Sequence, residues 1–103
     1  MVNEILDAAG LLYPVTRFPK LPDGTCVIPM DDIEAQGADD IILFYIHNVT
    51  LEMYQSKPDP AAEAALEAEL NARGLKWEKQ ARYWLQSEQR YQVVYEFSYT
   101  SKT

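Results

Sequence analysis

The chain has one cysteine, Cys26, and one histidine, His47. A lone cysteine excludes an intrachain disulfide, a C-x-x-C redox pair and a cysteine-rich zinc site, and it fits a reducing cytosol. With one His and one Cys, no transition-metal site within a single subunit is expected. The four glycines stand far apart, at 10, 24, 37 and 74, so neither G-x-G-x-x-G nor G-x-x-x-x-G-K exists to cradle a phosphate. No apolar run approaches the ~20 residues needed to cross a bilayer. The start, Met1-Val2-Asn3-Glu4, lacks the basic character of a secretion signal. The expectation is a chain made in the cytosol that stays soluble and has no membrane partner. Basic residues are in deficit: Lys and Arg number 9 against 16 Asp and Glu, for a formal net charge of −7. Such a chain is poorly suited to neutralising DNA phosphates. Its charge favours solubility and would repel DNA that must slide past.

Apolar residues make up 48% of the 103 residues, enough for one core and one domain, residues 1–103. The clearest pattern is at the end of the chain. From Arg90 to Thr100, Tyr91, Val93, Tyr95, Phe97 and Tyr99 fall on one face at period two, opposite Gln92, Val94, Glu96, Ser98 and Thr100. That alternation predicts a half-buried antiparallel strand. A helix is equally legible over Pro60 to Arg73. Asp59 is a good N-cap, Pro60 suits the first helical position, and Ala, Glu and Leu are strong helix formers. Gly74 then ends it as a left-handed cap. Ala62, Ala65, Leu66 and Leu70 form its apolar stripe, while Glu63, Glu67 and Asn71 read as its solvent side.

The rest reads in shorter pieces. Residues 2 to 12 predict a short amphipathic helix with Val2, Ile5, Leu6 and Ala9 inward and Gly10 as the stop. Leu21-Pro22-Asp23-Gly24 is a turn, flanked by extended pieces at Val15 to Phe18 and Thr25 to Met30. Ile41 to Ile46 is nearly all apolar and reads as a central strand covered on both faces. His47-Asn48 reads as a bend or bulge before a second strand, in which Val49, Leu51 and Met53 alternate with Thr50, Glu52 and Tyr54. Residues 75 to 86 read as a strand region, and Gln86-Ser87-Glu88-Gln89 as a polar turn.

Few groups are placed for chemistry. Asp31, Asp32, Glu34, Asp39 and Asp40 surround Gly37 in what reads as an exposed acidic loop. The spacing D-D-x-E-x-x-x-x-D-D does not reproduce a calcium loop. Cys26, among Thr25, Val27 and Ile28, reads as a small buried hydrophobe, and nothing in the sequence sets it beside His47. No catalytic residue and no cofactor are expected. Trp77, Tyr83, Trp84 and Tyr91 interleave with Lys76, Lys79, Arg82 and Arg90. Aromatics in a basic setting would suit single-stranded nucleic acid, but on strands they more often pack a core or a subunit contact.

In these features the chain resembles the small tail-completion proteins of long-tailed bacteriophages and prophages, also called tail terminator or tail-to-head joining proteins. The likeness is carried by Asn48-Val49-Thr50-Leu51-Glu52-Met53-Tyr54, the Lys57-Pro58-Asp59-Pro60 helix start, Gly74-Leu75, Trp77-Glu78 and Tyr91-Gln92-Val93-Val94-Tyr95-Glu96-Phe97, in that order over roughly residues 2 to 99. The resemblance implies an α+β fold: an antiparallel or mixed sheet with one main helix on a face and a short N-terminal helix. It implies a structural protein of the virion, made in the host cytoplasm, that needs no cofactor. Copies would form a homo-oligomeric ring, of six subunits when assembled, capping the tail tube and joining it to head-connector proteins. DNA would pass only as cargo. The acidic set Asp31, Asp32, Glu34, Asp39 and Asp40 then becomes a candidate lumen lining, and Trp77, Tyr83, Trp84 and Tyr91 candidate subunit contacts. Two rival readings are a head-completion or connector protein of the same phage module, and a small cytosolic adaptor or single-stranded nucleic-acid-binding module.

Overall fold

The computed structural model describes residues 1–14, 18, 20–38 and 41–102. The elements run α1 (Val2–Ala8), β1 (Thr25–Ala38), β2 (Ile41–Gln55), α2 (Pro60–Ala72), β3 (Trp77–Lys79), β4 (Tyr83–Leu85) and β5 (Arg90–Lys102). The strands form a five-stranded antiparallel sheet in the order β1-β2-β5-β3, with β4 also paired to β5. Both helices lie on one face of it. The fold is therefore α+β.

The alternation in β5 decides where the core sits. Val93, Tyr95 and Phe97 point to the helix side, level with Met53, Leu51 and Val49 of β2, and all six are buried. Val27 of β1 continues that layer, and α1 and α2 cover it with Ile5, Leu6, Leu66 and Leu70. Each such aliphatic side chain contributes about 1.5–3 kcal/mol by leaving water. Cys26 is buried as expected, and desolvation pushes its thiol pKa up against the smaller opposing pull of Arg90. The ends of α2 follow their local signals. Asp59 accepts the Ala62 N–H at 3.1 Å, and Gly74 takes a φ of +67° just past the last turn. The second Asp59 oxygen accepts the Thr25 hydroxyl at 2.5 Å, so one side chain caps the helix and ties it to the start of β1.

Several expectations change. The helix predicted over 2 to 12 ends at Ala8, with Gly10 at φ +71° as its stop. The expected extended piece Val15 to Phe18 lies largely outside the described residues. The acidic segment is a strand through Ala38, while Asp39 and Asp40 lie outside the described residues. Pairing against the apolar partner strand overrides the loop-like composition of 31–38. Residues 41–55 are one continuous strand with no bend at His47-Asn48, because β1 and β5 both pair with that stretch. The irregularity lies nearer the tip, where Leu43 of β2 is the extra residue between the Gln36–Phe44 and Gly37–Ile42 pairs. The strand region 75 to 86 divides into β3 and β4.

The solvent side assigned to α2 is also corrected. Glu63 is only 6% exposed. Its carboxylate accepts from Gln55 Nε2 at 2.9 Å and Arg82 Nη2 at 2.8 Å, and Lys79 Nζ lies 2.9 Å away. One turn on, Glu67 accepts from the Tyr95 hydroxyl and from Lys79 Nζ, each at 2.7 Å. These contacts fasten α2 to β3, β5 and the 80–82 connection. Burial by itself would raise the Glu63 pKa, but Gln55, Lys79 and Arg82 outweigh it and hold the carboxyl at about 2. A folded value below the ordinary 4.5 gives stability that is present above about pH 5 and fades as the pH falls toward 2. Glu63→Gln is expected to cost about 3 kcal/mol in urea unfolding at pH 7. The gap to the unaltered protein should narrow steadily below pH 5. A gap that stays constant down to pH 3 would contradict this assignment.

Candidate assembly interface

The β1–β2 hairpin projects beyond the helices as an arm, joined along one side by the end of β5. The molecule measures 50 × 29 × 22 Å, and its radius of gyration of 15.1 Å exceeds the ~13 Å of a rounded chain of this length. Toward the end of the arm the covered faces run out. Ile33 is 57% exposed, Ile41 61%, Leu43 53% and Phe44 37%. Only Phe44 to Ile46 pair with both β1 and β5, and residues 41–44 are exposed, contrary to the expectation of a central strand covered on both sides over 41–46. Apolar surface clustered in this way marks an interaction site more often than a free surface. The tip has a built geometry: a Cβ at Gly37 would run into the Ile41 carbonyl, so the chain needs glycine where the register shifts.

Hydrogen bonds at the base show which peptide groups the arm leaves open. Successive residues of a strand aim their N–H and C=O toward opposite edges. The Val27 N–H donates outward to the Leu12 carbonyl at 2.9 Å. Asp31, Ile33 and Ala35 therefore also aim outward, away from β2, and Pro29 offers no N–H. On the far side, the Val94 carbonyl accepts from the Gln80 N–H at 2.9 Å. Ser98 shares that direction but flanks the Trp77–Phe97 pair and faces the start of β3, while Thr100 and Lys102 lie beyond it. Among the described residues the arm thus has an open edge on each side. The β1 edge carries Asp31, Asp32 and Glu34. The β5 edge carries Lys102 opposite Phe44.

His47 ties the arm's strands together. Its Nδ1 lies 2.9 Å from Asp31 Oδ2 of β1, and its Nε2 lies 2.8 Å from Ser101 Oγ of β5. Its ring stacks on Tyr99, with centroids 4.3 Å apart and planes 8° apart. Asp31, His47 and Ser101 have the connectivity of a catalytic triad, which requires a base oriented by a carboxylate and bonded to a hydroxyl. The surroundings differ from such a site. Ser101 sits in regular strand backbone at the end of β5, opposite Tyr45, with its own N–H turned into the β2–β5 ladder. A hollow of about 520 Å³ on the open sheet face and one of about 590 Å³ beside the 21–24 turn are lined by other residues. The trio reads as a clamp across β1, β2 and β5. Sequence gave no warning of it, because its members are 16 and 54 residues apart. Cys26 stands opposite Tyr54 and His47 opposite Ile33, about 23 Å apart along β1, so the pair is not assembled.

The candidate residues named above separate into groups. Asp31 turns to the helix-bearing face, where it meets His47. Asp32 and Glu34 lie on the open face with Glu52, Glu78 and Glu96, and the 520 Å³ hollow there is lined by Asp32, Asn48, Thr50, Glu78, Glu96 and Ser98 among others. Tyr83, Trp84 and Tyr91 gather at β4, with the Trp84 and Tyr91 rings 5.0 Å apart, edge to face. Trp77 is separate. It packs against the core and donates from Nε1 to Asn71 Oδ1 at 2.8 Å. Three of the four cations beside these aromatics are engaged, Lys79 and Arg82 on Glu63, and Arg90 on the Pro22 and Leu21 carbonyls at 2.5 and 3.2 Å, while Lys76 lines the open-face hollow.

The sequence matches no protein-family model and no curated protein. The clamp can be tested directly. His47→Ala should speed amide exchange in 44–48 and at Tyr99 and Ser101 while leaving α2 protected. A fluorophosphonate that captures activated serines should leave Ser101 unmodified. His47-dependent labelling of Ser101 would make the trio catalytic instead.

Proposed function

We propose that this protein is a structural tail-completion protein of a phage or prophage, which forms a ring that caps the tail tube and joins it to the head. The observation that carries the reading is the arm: an apolar tip beyond the core, with an open sheet edge on either side. A ring subunit needs two different adhesive surfaces, because head-to-tail contacts close only when each copy offers both. The β1 and β5 edges differ in charge and provide such a pair. The tip, with Leu43 and Phe44, supplies a third apolar surface for the end of the tube. The open sheet face, with Asp32, Glu34, Glu52, Glu78 and Glu96, faces the channel in this reading. There its charge keeps passing DNA from adhering. The protein acts by shape and charge rather than by bond chemistry. Engagement of Lys79, Arg82 and Arg90 within the fold weighs against a nucleic-acid platform at Trp84 and Tyr91.

Electron microscopy of purified tail tubes mixed with the protein should show capped ends. Leu43→Asp should abolish capping without changing the circular dichroism of the free protein, and capping by that variant would refute a role for the tip. Binding to portal-bearing heads in place of tubes would assign the protein to head completion. Salt-dependent binding of single-stranded DNA would favour the nucleic-acid module. A second expectation concerns the channel. Replacing Asp32, Glu34, Glu52 and Glu96 by their amides should slow DNA ejection while rings still form. Unchanged ejection would remove the open face from the lumen.

A further inference from the structure

We infer that the helix-bearing face of the arm docks an amphipathic helix of a partner protein, one with an apolar stripe edged by Lys and Arg. The inference goes beyond the tail reading and does not depend on it. At the base, α1 and α2 cover this face with Ile5, Leu6, Leu66 and Leu70. Strand alternation carries the same face into the arm. Ile33 lies an even number of residues on from Val27 and opposite His47, Ala35 lies opposite Tyr45, and Tyr99 stands on the other side of His47. Ile33 is 57% exposed, Ala35 is exposed, and Tyr45 is half-buried. Tyr99 packs on the border of the core. One face of one sheet is thus roofed by helices over its base and bare over its arm, and an apolar sheet face is stable when another layer covers it. Both ring nitrogens of His47 are engaged by Asp31 and Ser101, so a covering helix strands no donor there.

Charge and length choose the occupant. No Lys or Arg occurs between Lys20 and Lys57, a stretch that holds seven Asp and Glu. Burial raises the Tyr99 hydroxyl pKa, and the carboxylates of Asp31 and then of Glu4, in the first turn of α1, raise it further. The field over this face is therefore negative. Nucleic acid and anionic lipid are repelled by such a field. A second copy laid face to face brings Asp31 and Glu4 toward their own copies, which like charge opposes. A cationic helix is attracted, and its stripe at i, i+3, i+4 and i+7 supplies the apolar cover. The arm from Asp31 to Gly37 extends about 20 Å, the length of a helix of about 13 residues.

The probe is a synthetic helical peptide of about 14 residues with Leu on its stripe and Lys elsewhere, and the control keeps the stripe but carries Glu. Titrated into the isotope-labelled protein at physiological salt, the Lys peptide should shift the amide NMR signals of Ile33, Ala35, Tyr45 and Tyr99. The Glu peptide should shift none of them. Ile33→Gln, a change at an exposed position outside the core, should weaken binding about fivefold, and Glu4→Gln about twofold. The circular dichroism of both variants should match that of the unaltered protein. Shifts confined to Asp32, Glu52, Glu78 and Glu96 on the open face would mean attraction by charge alone and overturn the inference. Equal binding of the two peptides, undiminished binding by Ile33→Gln, or no binding would overturn it as well. If the same four signals move with protein concentration in the absence of peptide, the face belongs to a second copy and the inference falls. Tube capping plays no part in this test, so its outcome and that of the tail reading are separate.

Discussion

Backbone hydrogen bonding is the constraint on which this structure turns. Each non-proline peptide carries a donor and an acceptor that must be paired or left in water. β2 resolves this for its own groups by taking β1 on one side and β5 on the other, from Phe44 to Gln55. The burden passes to the outer edges of β1 and β5. At the base it is met by Leu12 on one side and by the short strands β3 and β4 on the other. Along the arm the groups remain open to a partner strand.

The base is built to hold that arm in place. α1 and α2 press Ile5, Leu6, Leu66 and Leu70 onto the sheet, and Glu63 binds α2 to Gln55, Lys79 and Arg82. Arg90 fixes the 21–24 turn from which β1 departs. His47 then couples the three strands just as they leave the helices behind. Core, ion pairs and clamp stiffen the projecting hairpin, and a stiff arm loses less freedom on docking than a loose one.

Where signals were local, the fold was legible in the sequence. The alternation from Tyr91 to Tyr99, the Asp59-Pro60 start and the Gly74 stop of α2 each depend on neighbours a few residues away. Residues 31–38 were not legible as a strand, because their acidic and small side chains have little strand preference. Their state is imposed by Ile41 to Val49 across the hairpin. The same distance effect hid Glu63, whose spacing matches a wetted helix face until Lys79 and Arg82 fold over it. Ile41 to Ile46 misled in the opposite sense: an apolar run that usually signals a covered strand is uncovered in the single chain. Of the candidate site, composition singled out the acidic residues. Their division between the two faces of the sheet became visible only with the register.

The central claim is that the outward peptides of the arm are unpaired in one subunit and paired in the assembly. Residue-resolved amide exchange by NMR measures this directly. In the dilute monomer, Asp31, Ile33, Ala35, Thr100 and Lys102 should exchange rapidly while their strand neighbours are protected. In the assembled protein those five amides should become protected together. Slow exchange at these positions in the monomer, or rapid exchange that persists after assembly, would contradict the account.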